Sequence, residues 1–296
     1  MSQTTRPRRS VLYMPGSNAR ALEKARTLAA DGLILDLEDA VAPDAKALAR
    51  EQIAAALKTG GYGGRELIVR INGLDTPWGA DDLAMVAASR APAILIPKVE
   101  RANMVAEVEA RLEAAHAPRE LAIWCMMETP LGMLHVEEIA TSSPRVGCLV
   151  MGTSDLAKDL HAAHTRERLP LLTSLGLCLL AARAFALAIL DGVHLDLADD
   201  EGFAYACRQG KELGFDGKTL IHPKTIAKAN EVFAPSAEEV AWSRRIIGAH
   251  ASASKEGKGV LLVDGKLIEN LHVENARRLV ALADAISTLE SAQATQ

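Results

Sequence analysis

The sequence predicts an α/β protein, a (β/α)8 TIM barrel with a C-terminal helical extension. Three observations predict it. Short runs rich in Val, Ile and Leu recur between residues 10 and 221; most are apolar at consecutive positions; and segments of helical period separate them. Strands of a parallel sheet covered on both faces read in this way. About 250 residues of such alternation suit one barrel, and no Pro/Ser-rich linker divides it.

The first strand is expected at 10–14, ending in the Pro15-Gly16 turn, with a helix over 18–30. Strand 33–37 and helix 44–57 form the second unit, and 67–71 is the third strand. Strand 93–96 precedes helix 101–115, and strands 121–127, 146–151 and 186–190 follow. Helix 201–213 leads to 215–221, the least strand-like run because it contains Gly217 and Lys218. Beyond it, 223–233 and 236–256 read as helices, followed by the run 257–265 and a final amphipathic helix through Ala285. Residues 1–233 are therefore assigned to the barrel, and 234–296 to an extension that packs on, or completes, a neighbouring subunit. A doubly wound open sheet is the alternative, but no GxGxxG follows the first strand.

Composition narrows the function. The 296 residues carry 33 basic and 38 acidic side chains, a net charge of −5, and only 3% are aromatic. That balance neither attracts nucleic acid nor offers bases a stacking surface. The four cysteines, at 125, 148, 178 and 207, form no CxxC pair, as expected of reduced thiols. The most apolar stretch, 175–190, contains Arg183 and falls short of the roughly 18 to 20 apolar residues of a membrane span. The N-terminus has no h-region of signal-peptide length. A cytoplasmic protein without membrane or nucleic-acid partners is expected.

Barrel chemistry sits at the C-terminal ends of the strands. There the chain places Asn18; Asp36, Glu38 and Asp39; Arg70 and Asn72; Lys98; Glu128; Ser154 and Asp155; Asp191 and Asp196; and His222. Asp39, Asp44 and Asp199 also suit helix N-caps. Glu128 directly follows a buried apolar run, where a charge needs a partner, either a metal ion or Arg70. Asp155 arrives from the next strand end with no evident cationic neighbour. Two carboxylates without His or Cys are hard oxygen ligands for Mg2+, with Mn2+ an alternative. Arg70 suits a carboxylate or a developing enolate oxygen, or else an ion pair with Glu38 or Asp36 inside the barrel. Arg20 and Lys24, one turn apart at a helix opening, suit a phosphate or simply form a solvated face. His161, His164 and His250 read as surface residues, and His222 lacks an Asp partner for triad chemistry. GxSxG, Walker and HExxH motifs are absent from the sequence.

At these motifs the chain resembles the citrate lyase β-subunit-like family of CoA-ester lyases, within the HpcH/HpaI aldolase superfamily. The matching segments are Arg9-Ser-Val-Leu-Tyr-Met-Pro-Gly16, Asp36-Leu-Glu-Asp-Ala-Val41, Val69-Arg-Ile-Asn-Gly-Leu-Asp-Thr-Pro77, Pro97-Lys98, Glu128 with Gly132, Gly152 to Asp155, Gly202-Phe203, Gly214-Phe-Asp-Gly-Lys218 and His222-Pro223. The resemblance implies a homotrimer or homohexamer in which the C-terminal extension completes a neighbour's site. It implies Mg2+ on Glu128 and Asp155, and Arg70 on the reacting oxygens, with Glu38 and Asp39 in the same catalytic set. It places Arg20, Lys24, His222 and Pro223 at the CoA site. The implied reaction cleaves or forms a carbon–carbon bond in malyl-, β-methylmalyl- or citramalyl-CoA, giving a 2-oxo acid and an acyl-CoA. Where related lyases commonly read Gly-Lys-Met-Ile-Asp in the tail, this chain has Gly265-Lys-Leu-Ile-Glu269. Glu269 is the implied acid/base, with Asp264 as a second carboxylate. The longer side chain keeps (3S)-malyl-CoA thioester hydrolysis as the nearest alternative. A pyruvate-type aldolase and a noncatalytic, carrier-protein-dependent subunit are the others.

Overall fold

The computed structural model describes residues 5–255 and 261–294. The chain divides into two compact units, Arg8–Phe233 and the segment from Ala234 onward grouped with the N-terminal residues. In the first unit the order is β1 (Ser10–Pro15), α1 (Ala19–Lys24), β2 (Gly32–Asp36), α2 (Lys46–Thr59), β3 (Glu66–Arg70), α3 (Gly79–Ala87), β4 (Ala93–Ile96) and α4 (Ala102–Ala114). It continues with β5 (Ala122–Met127), α5 (Pro130–Leu134), α6 (Val136–Thr141), β6 (Val146–Met151), α7 (Thr153–Asp159), α8 (Leu172–Ala184), β7 (Ala188–Asp191), α9 (Asp200–Leu213), β8 (Gly217–Leu220) and α10 (Ile226–Phe233). All eight strands pair in parallel, and β1 closes on β8 through Ser10↔Lys218, giving a (β/α)8 TIM barrel.

Alternation along each strand builds two cores. Val11, Ile34, Ile68, Leu95, Trp124, Cys148, Val150 and Leu190 fill the barrel interior. Leu12, Leu33, Leu35, Val69, Ile94, Ile123 and Ile189 face the helices. Burial of both faces explains why the strands read as continuous apolar runs. The four cysteines are buried and free. No helix among the described residues is long and apolar enough to cross a membrane.

Several boundaries differ from those expected. Ala186 adopts a left-handed φ of 55° after α8, so β7 starts at Ala188. The eighth strand is shorter than 215–221, because Asp216 turns aside to accept the Ile189 N–H at 2.8 Å. Gly217 lies so close to the Arg8 carbonyl that a Cβ would collide with it, which accounts for a glycine inside a strand. Asn18 caps α1, which gives way after one turn to a 3-10 segment, Ala25–Thr27. Another 3-10 turn, Pro223–Thr225, opens the stretch expected as one helix over 223–233.

The second unit contains α11 (Ala237–Lys255), β9 (Leu261–Val263), β10 (Lys266–Ile268) and α12 (Asn270–Ala294). The run 257–265 lies partly outside the described residues. Its described part forms an antiparallel hairpin whose Asp264-Gly265 turn has φ of 49° and 76°, the type I′ pattern. Ile246, Val263, Ile268, Val273 and Ala276 form this unit's core.

The N-terminal face of the barrel is closed by charge pairs. Arg9 binds Asp31 through its backbone N–H at 2.8 Å and its guanidinium at 2.9 Å, with both side chains buried. Arg8 pairs with Glu66 at 2.7 Å and lies over Trp124, 5.2 Å from the ring centroid. Replacing Asp31 with Ala removes the carboxylate that both the Arg9 backbone N–H and its buried guanidinium bind. The expected cost is about 3 kcal/mol or more of stability, measured by denaturant unfolding against wild type.

Candidate active site

Asp36 ends β2 and Arg70 ends β3, directly opposite each other in the register. Both continue the inward alternation of Ile34 and Ile68. Arg70 Nε and Nη2 donate to the two Asp36 oxygens at 2.6 Å each, and Nη1 lies 2.8 Å from Glu38 and 3.4 Å from Asp39. The ion pair anticipated as one option for Arg70 is therefore present in the structure. Asp36 also accepts the N–H groups of Glu38 and Ala40, curling the β2–α2 loop so that its acids return to the mouth.

Buried Lys46, at the start of α2, donates from Nζ to the Leu37 and Glu38 carbonyls at 2.8 Å and to Asn72 Oδ1 at 2.7 Å. Asp82 in turn holds Asn72 Nδ2 at 2.6 Å. These bonds tie the loop after β2 to the loop after β3. They give a physical reason for the Asp-Leu-Glu-Asp and Arg-Ile-Asn segments to occur together.

Glu128 follows β5 and is 3% exposed. Its Oε1 accepts the Lys98 backbone N–H at 2.8 Å, and no cationic side chain among the described residues pairs with it. Burial pushes its carboxyl up to about 7, against the opposing backbone hydrogen bond. Gly152, at the end of β6, leaves room for this side chain; a Cβ there would collide with Glu128 Oε2. Asp155 stands in the first turn of α7.

The expectation that Asp155 lacks a cationic neighbour is corrected. Lys98 Nζ lies 3.8 Å from Asp155 and 3.2 Å from Glu38. The left-handed backbone of Lys98, φ 47°, sends its ammonium across the mouth while its N–H serves Glu128. Strand-end position alone does not show that reach. The carboxylates of Asp36, Glu38, Asp39, Glu128 and Asp155 still outnumber Arg70, Lys98 and Lys46, so the mouth is negative. Hard oxygen donors around a deficit of positive charge fit Mg2+. No group of three or more His, Cys, Asp and Glu able to hold a metal occurs among the described residues. The protein donors are thus few, as for a Mg2+ that keeps waters and substrate oxygens as ligands.

The remaining strand-end residues divide. Asp191 is corrected from the mouth to the helix layer: Leu190 points inward, so Asp191 points outward, binding Lys218 Nζ at 2.7 Å and Arg168 Nη1 at 2.6 Å. Asp199 caps α9, and the His222 ring accepts the Lys224 N–H at the turn that Pro223 opens. Arg20 and Lys24 are exposed on α1, which follows β1, the strand paired with β8 that precedes His222 and Pro223. His161 and His164 are exposed and His250 is half-buried. In the second unit, Glu269 is exposed just before α12, and Asp264 lies 3.5 Å from Arg245. Beside the mouth a groove of about 960 Å³ is lined by Glu38, Asp39, Lys98, Thr129, Trp78 and Met104. Sequence reasoning gave Tyr13 no role, although inward alternation along β1 places its ring under Arg70, 4.7 Å from the guanidinium.

The closed parallel barrel and the acid-rich mouth at the C-terminal ends of its strands define a protein of the (β/α)8 class. Residues 9–223 match the family described as HpcH/HpaI aldolase/citrate lyase, and the chain belongs to it. It is 51% identical over 287 residues to a (3S)-malyl-CoA thioesterase of Cereibacter sphaeroides, covering 97% of this chain and 98% of that protein. It is 37% identical over 306 residues to an L-malyl-CoA/beta-methylmalyl-CoA lyase of the same species, covering 95% and 96%. The protein CitE of Mycobacterium tuberculosis, in complex with magnesium, acetoacetate and coenzyme A, superposes with a TM-score of 0.74 at 31% identity, over 93% of this chain and 97% of that one.

The raised Glu128 pKa has a definite sign. Ionisation is opposed in the folded state, so Glu128 contributes stability at low pH that is lost as pH rises from about 4.5 through about 7. A metal ion held by Glu128 would need the ionised form, so Mn2+ affinity followed by EPR is then expected to rise about tenfold per pH unit below 7 and level off above. In metal-free protein, Glu128→Gln should raise the melting temperature at about pH 8 and leave it unchanged at about pH 4.

Proposed function

We propose that the chain is a Mg2+-dependent hydrolase of a malyl-CoA-type thioester, releasing malate and free CoA. The observation that carries the reading is Glu128, a buried carboxylate with no cationic side-chain partner among the described residues, set in a negative mouth with Asp155. The choice of hydrolysis is supported by 51% identity with a (3S)-malyl-CoA thioesterase along nearly the whole chain. Carbon–carbon cleavage of the same substrate is the second reading, supported by membership of the family and by the malyl-CoA lyase relative.

Glu128 and Asp155 are the residues that would hold Mg2+, or Mn2+ in its place. When bound, the ion supplies Lewis-acid polarisation of a substrate oxygen. Arg70, fixed by Asp36 and Glu38, keeps positive charge against those acids, while the half-exposed Lys98 offers an ammonium to the acid end of the substrate. Asp39, largely exposed, completes the acid rim. Arg20 and Lys24 meet the CoA phosphates, with His222 and Pro223 beside the nucleotide. In a homotrimer or homohexamer, the 234–296 extension brings Glu269 to a neighbour's mouth. There its carboxylate takes the proton of the water that forms the new C–O bond; the C–S bond breaks, and that proton passes to the departing thiolate.

Incubation with (S)-malyl-CoA and Mg2+, following malate, free CoA, glyoxylate and acetyl-CoA together, tests the reading. Malate with free CoA is expected; glyoxylate with acetyl-CoA would replace hydrolysis by the lyase reading. Asp155→Ala should lower turnover by about a thousandfold with the melting temperature retained. Full activity in EDTA would overturn the metal assignment.

A further inference from the structure

Tyr13 is a buried-face residue that keeps access to the mouth. Along β1, Val11 and Tyr13 pack with the barrel interior while Leu12 and Met14 pack with the helix layer. Val11, Ile34, Ile68, Leu95 and Trp124 are buried in that interior, whereas Tyr13 remains half-buried. Arg70 covers its ring face, so the ring is held and only the hydroxyl is left to find a partner.

That partner is poor. Tyr13 Oη reaches across the barrel to Met126 Sδ at 3.4 Å, and a thioether is a weak acceptor. A tyrosine in such a position ordinarily bonds an oxygen or nitrogen. Met126 lies two residues before Glu128 on β5 and faces the same way, so the phenol lies one side-chain layer below the Glu128 carboxylate. A Cβ on Gly152 would stand 3.0 Å from Met126 Cε, which places the same point under the β6 end that leads to Asp155. The buried donors beside it are committed, Arg70 to Asp36 and Glu38 and Lys46 to two carbonyls and Asn72, while Lys98 is half-exposed at the rim.

We infer that Tyr13 is a substrate-binding residue, its phenolic O–H donating a hydrogen bond to the far carboxylate of the acyl group at the floor of the mouth. The inference rests on the thioester reading above. Depth selects this end of the substrate: the cations suited to CoA phosphates, Arg20 and Lys24, are exposed on α1, and only the small acid end is slim enough to reach the floor. Burial and the nearby carboxylates Asp36 and Glu128 keep the phenol protonated, against the pull of Arg70. Tyr13 therefore binds as a donor and transfers no proton.

Tyr13→Phe keeps the ring under Arg70 and removes only the hydroxyl. With Mg2+-loaded protein, calorimetric titration should show (S)-malate binding weakened about tenfold and CoA binding unchanged. The kcat/KM for (S)-malyl-CoA should fall about tenfold to a hundredfold, with the melting temperature and Mn2+ affinity as in wild type. Unchanged malate affinity would overturn the inference, as would equal weakening toward malate and CoA, the mark of a general structural effect. If wild type neither binds malate nor turns over (S)-malyl-CoA, the thioester reading falls and Tyr13's role with it. If wild type is active and Tyr13→Phe matches it, the Tyr13 role alone falls.

Discussion

Asp36 and Arg70 face each other across the β2–β3 register, joined by two hydrogen bonds of 2.6 Å inside the barrel. Neither charge could stay there alone, since an uncompensated buried ion costs several kcal/mol. Their pairing organises the C-terminal mouth of the barrel. Asp36 uses its remaining capacity on the N–H groups of Glu38 and Ala40, and Arg70 extends to Glu38. Arg70 also stacks on Tyr13, carrying the same constraint to β1. One ion pair thus orders side chains from three adjacent strands and the loop that bears the acids.

Glu128 obeys the opposite rule. It is as deeply buried as Arg70 but, among the described residues, receives only a backbone N–H, so burial pushes its carboxyl up to about 7. Strongly displaced carboxylates in clefts concentrate at functional sites. The local design serves that state: Gly152 clears space for the carboxylate, and Lys98 accepts a left-handed backbone to present its N–H. Strain of this kind persists where surrounding structure over-determines it.

Not every buried acid at a strand end belongs to the mouth. Burial works against ionisation of Asp191, yet Lys218 and Arg168 hold its carboxyl below the usual range. Arg168 also bonds Gln209 at 2.7 Å, so the loop before α8 is pinned to β7, β8 and α9. The protein's own groups, Lys218, Arg168 and the Gly192 N–H, meet the Asp191 carboxylate, and a structural role follows. Glu128 and Asp191 differ in parity along their strands: one points inward to the mouth, the other outward, where Lys218 of β8 and Arg168 of the loop before α8 meet it.

Much of this was legible in the residues themselves. Consecutive apolar positions in eight runs determine a parallel sheet covered on both faces, and strand-end acids with Arg70 mark the C-terminal mouth as the candidate site, because both depend on local pattern and burial. Strand edges such as Ala186 and Asp216 were less legible, since a left-handed turn or a side chain capping a neighbouring strand decides them. Only the tertiary structure decided which strand-end groups meet. Lys98 reaches Asp155 by a backbone twist, Asp191 turns away by parity, and Tyr13 crosses the barrel to Met126, two residues before Glu128. These are distances between residues far apart in the chain, set by barrel closure and register, and no local sequence pattern contains them.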